Sequence, residues 1–296
     1  MSGTFRTGFI ALIGRPNVGK STLLNHILGQ KISITSNKPQ TTRNRILGIK
    51  HLSEGQMIFL DTPGLPPSHA AKFHRNRPLI QTARQTVYEA DLILALIDPA
   101  VQQNDSFLFD FLKKSDAPKI LVLNKIDMLN KGALIPTLSA LGANEEICAR
   151  FSAVIPISAK TGENTEKLLE IALSYLPERE PIFPEDQVTD QSVRFLASEI
   201  VREQVIQQTK DEMPYAVTVQ IERFVENGPK GIIHISSILF VERESQKAIL
   251  IGQKGERLKK IGTAARCELE NLLDSKVFLE MWVKVKEQSG LMGTEQ

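Results

Sequence analysis

The sequence is poor in cysteine and has no long apolar run. Its only cysteines, Cys148 and Cys267, lack the paired spacing of a metal site, so neither a disulfide scaffold nor a cysteine metal cluster is expected. No apolar stretch approaches the roughly 20 residues that a membrane-spanning helix needs. The run Phe9–Ile13 is too short for a signal peptide and leads directly into a glycine-containing loop. These absences indicate a globular chain that works in the cytoplasm.

A strong excess of one charge is also missing. The formal net charge is +2 at pH 7, which indicates neither a basic coat for nucleic acid nor an acidic tail. The charge is nevertheless uneven, since residues 1–182 carry 21 basic and 16 acidic side chains while residues 183–296 carry 15 and 18. Histidine also lacks metal-ligand spacing, so no metal is assigned to it. Partners must therefore be inferred from local charge.

The arrangement of apolar runs predicts two domains within the 296 residues. Five runs are separated by stretches long enough for crossover helices, which predicts a largely parallel sheet with helices on both faces. The predicted strands are Phe9–Ile13, Met57–Leu60, Leu92–Ile97, Lys119–Leu123 and Val154–Ile157. A helix at Lys167–Leu176 closes this unit.

Three prolines and five charged residues between Pro177 and Asp186 predict a linker, because they prevent a helix from continuing. We therefore assign residues 1–178 to a first domain, 179–191 to a linker and 192–290 to a second domain. The second domain is predicted to run in the order helix, strand, strand, helix, helix, strand.

A phosphate-binding loop follows the first predicted strand and opens a helix. It reads Gly14-Arg-Pro-Asn-Val-Gly19-Lys20-Ser21, which has P-loop spacing. Its glycines let backbone N–H groups converge on a β-phosphate at the helix N-terminus. We expect Lys20 to reach the β- and γ-phosphates and Ser21 to place its hydroxyl on Mg²⁺. A simple glycine turn is the alternative for this motif alone.

Two further segments are predicted to complete the phosphate site. Asp61-Thr-Pro-Gly64 ends a predicted strand, which places Asp61 at the carboxyl edge of the sheet, where it can hold Mg²⁺ through a water. The N–H of Gly64 is then expected to sense the γ-phosphate. The polar segment Pro39–Arg43 is suited to closing over that phosphate, with Thr42 preferred to Thr41 as the Mg²⁺ ligand.

Two later loops predict guanine recognition. Asn124-Lys125-Ile-Asp127 and Ser158-Ala-Lys160 each follow a predicted strand. A carboxylate at Asp127 can accept hydrogen bonds from guanine N1–H and the N2 amine, donors that adenine lacks. We expect Asn124 to hold the neighbouring loop, Lys125 to lie over the base and the N–H of Ala159 to meet guanine O6.

Together these loops predict a GTP site with Mg²⁺. The residues expected to act on the γ-phosphate are Lys20, Thr42 and Gly64, and the expected Mg²⁺ ligands are Ser21, Thr42 and Asp61. The residues expected to contact GTP are Gly14, Arg15, Pro16, Asn17, Val18, Gly19, Lys20, Ser21, Thr22, Asp61, Thr62, Pro63, Gly64, Asn124, Lys125, Asp127, Ser158, Ala159 and Lys160.

A second glycine motif, Gly252-Gln-Lys-Gly255, links two predicted helices in the second half. Between Lys247 and Arg266 six basic side chains face the single acid Glu256, so positive charge is concentrated where the loop would meet a phosphate backbone. This pattern is typical of the GXXG loop of a KH domain, which clamps about four nucleotides. A solvated basic helix face is the alternative. The predicted RNA-binding residues are Ile251, Gly252, Gln253, Lys254, Gly255, Arg257, Lys259 and Lys260.

These ordered motifs resemble the translation-factor-related GTPases, and in particular the Era family of bacterial ribosome-assembly GTPases. The resemblance spans nearly the whole chain, and it extends to Phe183–Asp186, Pro214-Tyr215, Ile221–Phe224, Val241–Glu244 and Trp282–Lys286. It implies an α/β fold in which a P-loop GTPase domain with a doubly wound, mostly parallel sheet precedes a smaller α+β type II KH domain.

Two positions qualify what the resemblance implies for hydrolysis. Leu65 follows Gly64, where Ras has the glutamine that orients the attacking water. In related GTPases the asparagine that matches Asn17 helps to place K⁺, which makes K⁺ a candidate additional cation. An ordinary turn residue is the alternative for Asn17.

The resemblance implies a GTP-hydrolysing switch that binds the 3′ end of 16S ribosomal RNA and assists assembly of the 30S subunit, with GTP or GDP and Mg²⁺ as cofactors. We expect a cytoplasmic monomer, with peripheral association with the inner membrane as a further option. Two other functions stay open: an RNA-binding chaperone gated by nucleotide occupancy alone, and a membrane-peripheral regulatory GTPase.

Overall fold

The structure is a computed structural model that describes residues 5–35, 45–66, 73, 76–99, 106–130, 132–209, 217–226 and 231–286. The chain divides into two compact units, Met1–Gln191 and Ser192–Gln296. Among the described helices, none is both long and apolar enough to cross a bilayer.

A six-stranded sheet in the order β2-β3-β1-β4-β5-β6 forms the centre of the first unit. Its strands are β1 (Arg6–Gly14), β2 (Ile46–Leu52), β3 (Gly55–Asp61), β4 (Leu92–Ile97), β5 (Lys119–Leu123) and β6 (Ala153–Pro156). Only β2 pairs antiparallel to its neighbour; every other pairing in this sheet is parallel. The predicted doubly wound, mostly parallel sheet is therefore confirmed.

Six described α-helices accompany this sheet: α1 (Lys20–Leu28), α2 (Arg77–Glu89), α3 (Ser106–Leu112), α4 (Leu134–Gly142), α5 (Glu145–Arg150) and α6 (Thr165–Ser174). In β1, Ala11 and Ile13 pack in a cluster with residues of α2, α3 and α5. Ile10 and Leu12 point to the opposite face because strand side chains alternate, and they too are fully buried. Burial on both faces explains why this strand is a continuous apolar run.

The edge strand β2 was not predicted from the sequence. Its apolar pattern is interrupted by Gly48, Lys50 and His51, so it matches neither a continuous buried run nor a clean alternation. β2 and β3 are joined by a tight turn and pair over their full length, from Ile46 opposite Asp61 to Leu52 opposite Gly55. β2 therefore connects the segment 36–44, which lies outside the described residues, to the strand that ends at Asp61.

Residues 182–189, which we call the strap, are hydrogen-bonded to this edge of the first unit. The side chain of Gln56 is fully buried. Its Oε1 accepts from the N–H groups of Ile182 and Phe183 at 2.8 and 3.0 Å, and its Nε2 donates to the Phe183 carbonyl at 2.7 Å. Further along, the N–H of Ile49 donates to the Val188 carbonyl at 2.8 Å. The segment predicted as a linker is thus held against β2 and β3.

The second unit contains α7 (Val193–Gln208), β7 (Thr218–Val225), β8 (Ile233–Val241), α8 (Glu244–Ile251), α9 (Glu256–Leu273) and β9 (Val277–Val285). β8 pairs antiparallel with β7 and parallel with β9. Ser192 caps α7, where its hydroxyl accepts from the N–H of Phe195 at 3.2 Å. The predicted order of helices and strands for a type II KH domain is confirmed.

Candidate functional site

The P-loop between β1 and α1 adopts a backbone that only certain residues permit. Asn17 and Gly19 have positive φ angles of 62° and 101°, in the left-handed region that favours glycine and asparagine. A Cβ at Gly19 would lie 2.2 Å from Nδ2 of Asn124, so a side chain there would push two loops of the site apart. The Lys20 ammonium lies inside the loop and donates to the carbonyls of Gly14 and Arg15 at 3.2 and 2.9 Å.

Lys20 and Asp61 form a buried pair of opposite charges at the base of this loop. Burial lowers the pKa of Lys20 to about 8, and the nearby Asp61 carboxylate opposes that shift. Burial likewise raises the pKa of Asp61, against the effects of Lys20, of hydrogen bonds from the Ser21 and Ser33 hydroxyls and of one from the Thr62 backbone N–H. An anionic phosphate beside Lys20 would favour its charged form, which desolvation disfavours.

The residues around Asp61 fit a hydrated Mg²⁺ ion. Ser21 donates its hydroxyl hydrogen to Oδ2 of Asp61 at 2.7 Å, and no described residue donates to the buried Oδ1. A carboxylate oxygen and a hydroxyl oxygen are the hard ligands that Mg²⁺ prefers, with waters completing its shell. Ser21 and Asp61 would hold the ion, whereas Thr41 and Thr42 lie outside the described residues.

The loop that begins at Asp61 is in direct contact with the P-loop. A Cβ at Gly64 would lie 2.5 Å from the backbone nitrogen of Pro16, so glycine is required by this close approach. The N–H of Leu65 donates to the Gly14 carbonyl at 3.0 Å. The Thr62 hydroxyl donates to the Leu12 carbonyl at 2.9 Å. These contacts bring the two phosphate-site motifs together.

Leu65 packs in the hydrophobic core beside the sheet and is only 2% exposed. We predict that Leu65→Gln will not accelerate GTP hydrolysis, because residue 65 points into the core. The change should instead lower the free energy of unfolding by about 2–4 kcal/mol, since it buries an amide among apolar side chains. Single-turnover hydrolysis and urea denaturation measure the two effects, with Leu65→Met as the control. A faster hydrolysis rate in the glutamine variant would contradict this account.

Asn124 connects the P-loop to the predicted guanine loops. Its Nδ2 donates to the Val18 carbonyl at 2.7 Å, and its Oδ1 accepts from the N–H of Ala159 at 2.9 Å. The Ser158 hydroxyl donates to Oδ1 of Asp127 at 2.7 Å. The side chains of Asn124 and Ser158 are buried while Asp127 is exposed. The Asp127 carboxylate, which would contact the base, is therefore accessible to a ligand, whereas Asn124 and Ser158, which support the loops, are shielded from solvent.

Lys125 has a left-handed backbone, with φ of 68°, and its ammonium lies 2.8 Å from Oδ2 of Asp98. A cleft of about 140 Å³ runs from the P-loop to these residues, and it is lined by Arg15, Pro16, Asn17, Val18, Leu96, Ile97, Asp98 and Lys125. Asp98, which holds the Lys125 side chain, was not identified from the sequence because it belongs to no recognised motif.

In the second unit, the predicted GXXG loop lies between α8 and α9. Gly252, Lys254 and Gly255 have positive φ angles of 72°, 50° and 79°. Gly255 caps α9 without a side-chain hydrogen bond, so the first backbone N–H groups of that helix can meet an anion. Lys254, Lys259 and Lys260 are exposed and can reach a phosphate backbone.

Arg257 has a different environment from the exposed lysines. Its guanidinium donates to the Ile249 carbonyl in the last turn of α8 at 2.6 Å, and a Cβ at Gly252 would lie 2.7 Å from its own Cβ. Arg257 therefore braces the two helices around the loop. Sequence reasoning treated it as one more basic side chain because that contact cannot be read from charge.

The geometry defines the first unit as a guanine-nucleotide-binding P-loop domain and the second as a KH-type fold. Comparisons with known proteins agree. Residues 9–125 match the family described as "50S ribosome-binding GTPase", and residues 212–289 match the "KH domain" family.

Relatives are similar over almost their whole length. GTPase Era of Geotalea uraniireducens is 46% identical over 96% of this chain and 94% of its own. GTPase Era of Stenotrophomonas maltophilia strain R551-3 is 48% identical over 95% and 92%. A crystal structure of Era in complex with MgGDPNP and nucleotides 1506-1542 of 16S ribosomal RNA matches with a TM-score of 0.86 and 41% identity, covering 96% of this chain and 95% of that one. A single-residue variant of Aquifex aeolicus Era bound to GDP.AlF4- matches with a TM-score of 0.86 and 40% identity, over the same shares. The chain belongs to the Era family of GTPases.

Proposed function

We propose that this protein is a GTP-hydrolysing switch that binds the 3′ end of 16S ribosomal RNA through its second unit and so assists assembly of the 30S subunit. The observation that carries the proposal is the presence of both sites in one chain: Asn124 joins the guanine loops to the P-loop, and the GXXG loop opens α9. The similar Era structure holds a GTP analogue with Mg²⁺ and an RNA of that sequence region.

The first unit has the parts for binding and hydrolysing GTP. The Lys20 ammonium and the P-loop N–H groups would neutralise the phosphates, and Asp127 would read the guanine edge. Mg²⁺ held by Ser21 and Asp61 would supply further positive charge at the β- and γ-phosphates. The Gly64 N–H, which lies beside Pro16 of the P-loop, would donate to the γ-phosphate and so detect whether that phosphate is present. Loss of that phosphate would release the loop.

The proposal is tested with an RNA that corresponds to nucleotides 1506-1542 of 16S ribosomal RNA. Fluorescence anisotropy measures the affinity of this RNA for the protein loaded with a non-hydrolysable GTP analogue and for the protein loaded with GDP. An RNA of the reversed sequence is measured in the same way as the control for sequence specificity. We expect the GTP-analogue form to bind the natural sequence most tightly. Equal affinity for both RNA sequences would contradict specific recognition, and equal affinity in both nucleotide states would contradict the switch.

We predict that Gly252→Asp combined with Gly255→Asp lowers RNA affinity at least about tenfold, because two carboxylates would oppose the phosphate backbone. Both positions also need positive φ, so side chains there strain the loop. GTP hydrolysis should be unchanged, since the substitutions lie in the second unit. The control is Asn271→Asp with Ser275→Asp, which adds the same charge at the other end of α9. Undiminished RNA affinity in the loop variant would exclude the clamp.

Asn17 supports a role for K⁺ as an additional cation. Its side chain is exposed and its residue lines the cleft beside the phosphate loop, where an oxygen ligand can meet both a cation and a nucleotide. We propose that K⁺ accelerates hydrolysis. Turnover in K⁺ and in Na⁺ tests this role, and equal rates would remove it.

Turnover and occupancy give different expectations for this switch. If hydrolysis is required, a variant that binds GTP but cannot cleave it fails to support 30S assembly. If the protein is a chaperone gated by occupancy, the same variant still supports assembly.

We further propose that the protein acts as a cytoplasmic monomer, and sedimentation tests the monomeric state. Peripheral membrane association is the remaining alternative, and vesicle flotation with anionic lipids tests it.

A further inference from the structure

Ser33 is a fully buried residue that contacts the carboxylate of Asp61, the residue that would hold Mg²⁺. Its side chain has 0% exposure, and its hydroxyl donates to Oδ2 of Asp61 at 2.9 Å. The same oxygen accepts from Ser21 at 2.7 Å. Two hydroxyl donors therefore converge on one carboxylate oxygen. This pair of bonds fixes χ2 of Asp61, the rotation of the carboxylate about the Cβ–Cγ bond.

The backbone of Ser33 is held in place by a single side chain of the P-loop helix. Oδ1 of Asn25 accepts from the N–H groups of Ile32 and Ser33, both at 3.0 Å. Nδ2 of Asn25 donates to the Ser33 carbonyl at 2.7 Å. The Ser33 hydroxyl is thus anchored to α1, the helix that also begins with Lys20 and Ser21.

The two oxygens of Asp61 have different environments as a result. Oδ2 is occupied by Ser21 and Ser33, while Oδ1 is buried and receives no hydrogen bond from a described residue. A carboxylate that is fixed in this way presents Oδ1 in one direction, which suits a water in the shell of Mg²⁺. Without Ser33, the Asp61 carboxylate would keep one hydroxyl donor, Ser21, which itself must coordinate the ion, and the backbone N–H of the adjacent Thr62.

We infer that Ser33 is a positioning residue for Mg²⁺: it orients Asp61 through Oδ2 so that Oδ1 faces the ion's water shell. The inference rests on the proposed use of Mg²⁺ with GTP and GDP. Ser33 also precedes, in the sequence, the segment Pro39–Arg43 that is predicted to close over the γ-phosphate.

The test uses the full-length chain with a fluorescent mant-GDP probe, and it measures the release rate across a series of MgCl₂ concentrations and in EDTA. For Ser33→Ala we expect the Mg²⁺ concentration needed to slow release by half to rise roughly tenfold, the scale of a hydrogen bond to a charged group. In EDTA the release rate should stay within about twofold of the wild-type rate, because no ion is present to be positioned. Ser33→Thr keeps the hydroxyl and should restore the wild-type Mg²⁺ dependence.

Controls separate positioning from simple stabilisation. Ser174→Ala removes a hydroxyl whose bond, to the Ile171 carbonyl at 2.7 Å, stays within α6, and it should leave both release rates unchanged. A Ser33→Ala variant that loses mant-GDP equally in Mg²⁺ and in EDTA, or one that matches the wild type in both, would overturn the inference. Should that variant fail to fold, Asn25→Asp tests the same point, because it keeps the two acceptor bonds and loses the bond to the Ser33 carbonyl. A wild-type protein that is indifferent to Mg²⁺ would instead contradict the proposed function.

Discussion

Replacement of Lys20 by alanine is expected to lower the affinity for GTP and GDP at least about a hundredfold, since truncating one member of a buried charge pair costs several kcal/mol. The ammonium is held inside the loop by the carbonyls of Gly14 and Arg15, where the phosphates are expected to lie. Its removal also leaves the buried carboxylate of Asp61 without its nearby countercharge. That carboxylate would then repel the phosphates.

Isothermal titration calorimetry with GDP measures this effect. The matched control is Lys167→Ala, which removes an exposed ammonium on α6 that pairs only with the exposed Glu170 among the described residues. We expect that control to bind GDP as the wild type does. Tight binding by the Lys20 variant would contradict the assignment of the phosphate site. Thermal melting checks that a variant which has lost binding is still folded.

Replacement of Asp127 by asparagine is expected to change base preference from guanine to xanthine. The carboxylate accepts from two guanine donors, whereas an amide presents one donor and one acceptor, which matches xanthine. GTP affinity should fall about a hundredfold or more, because polar groups in a recognition site are left unpaired. The Ser158 hydroxyl, which donates to Oδ1 at 2.7 Å, can still donate to the amide oxygen.

The change in preference is measured by the concentrations of GTP and of XTP that displace bound mant-GDP from the variant and from the wild type. Asp110→Asn is the control, because it makes the same chemical change at an exposed residue of α3 that pairs with Lys113. Unaltered preference for GTP in the Asp127 variant would contradict the guanine assignment.

The sequence predicts the parallel part of the first sheet well because these strands are buried on both faces. β4 and β5 consist of almost uninterrupted apolar residues, and each site loop begins where such a strand ends. Parallel strands bring their carboxyl ends to one edge of the sheet. The meeting of the P-loop, Asp61 and Asn124 could therefore be anticipated from the order of the motifs alone.

The contacts that support the site could not be predicted in the same way. Ser33 and Asn25 belong to no motif, and the bond from Ser33 to Asp61 spans 28 residues, which no local pattern reveals. Arg257 resembles the lysines around it until its bond to Ile249 is seen. Residue type and spacing indicate which groups meet a ligand, whereas the groups that hold them depend on tertiary packing.

The strap shows a related limit. The prolines and charges between Pro177 and Asp186 indicate a chain that forms no regular structure of its own. That interpretation is compatible with the structure, because the strap makes its hydrogen bonds to Gln56 and to β2. A lone glutamine inside an apolar strand was the available signal. Such a residue is buried only when its amide is satisfied, so a partner backbone nearby could have been suspected.

The strap also has a consequence for the solubility of the first unit. β2 is the outermost strand of its sheet, and an open strand edge can pair with another polypeptide and start aggregation. The Val188 carbonyl and the Thr189 hydroxyl already bond to Ile49 and Leu47, and Phe183 covers the neighbouring apolar cluster. A fragment cut at residue 178 would expose that edge, whereas one that continues to residue 191 would carry its own protection against intermolecular strand pairing.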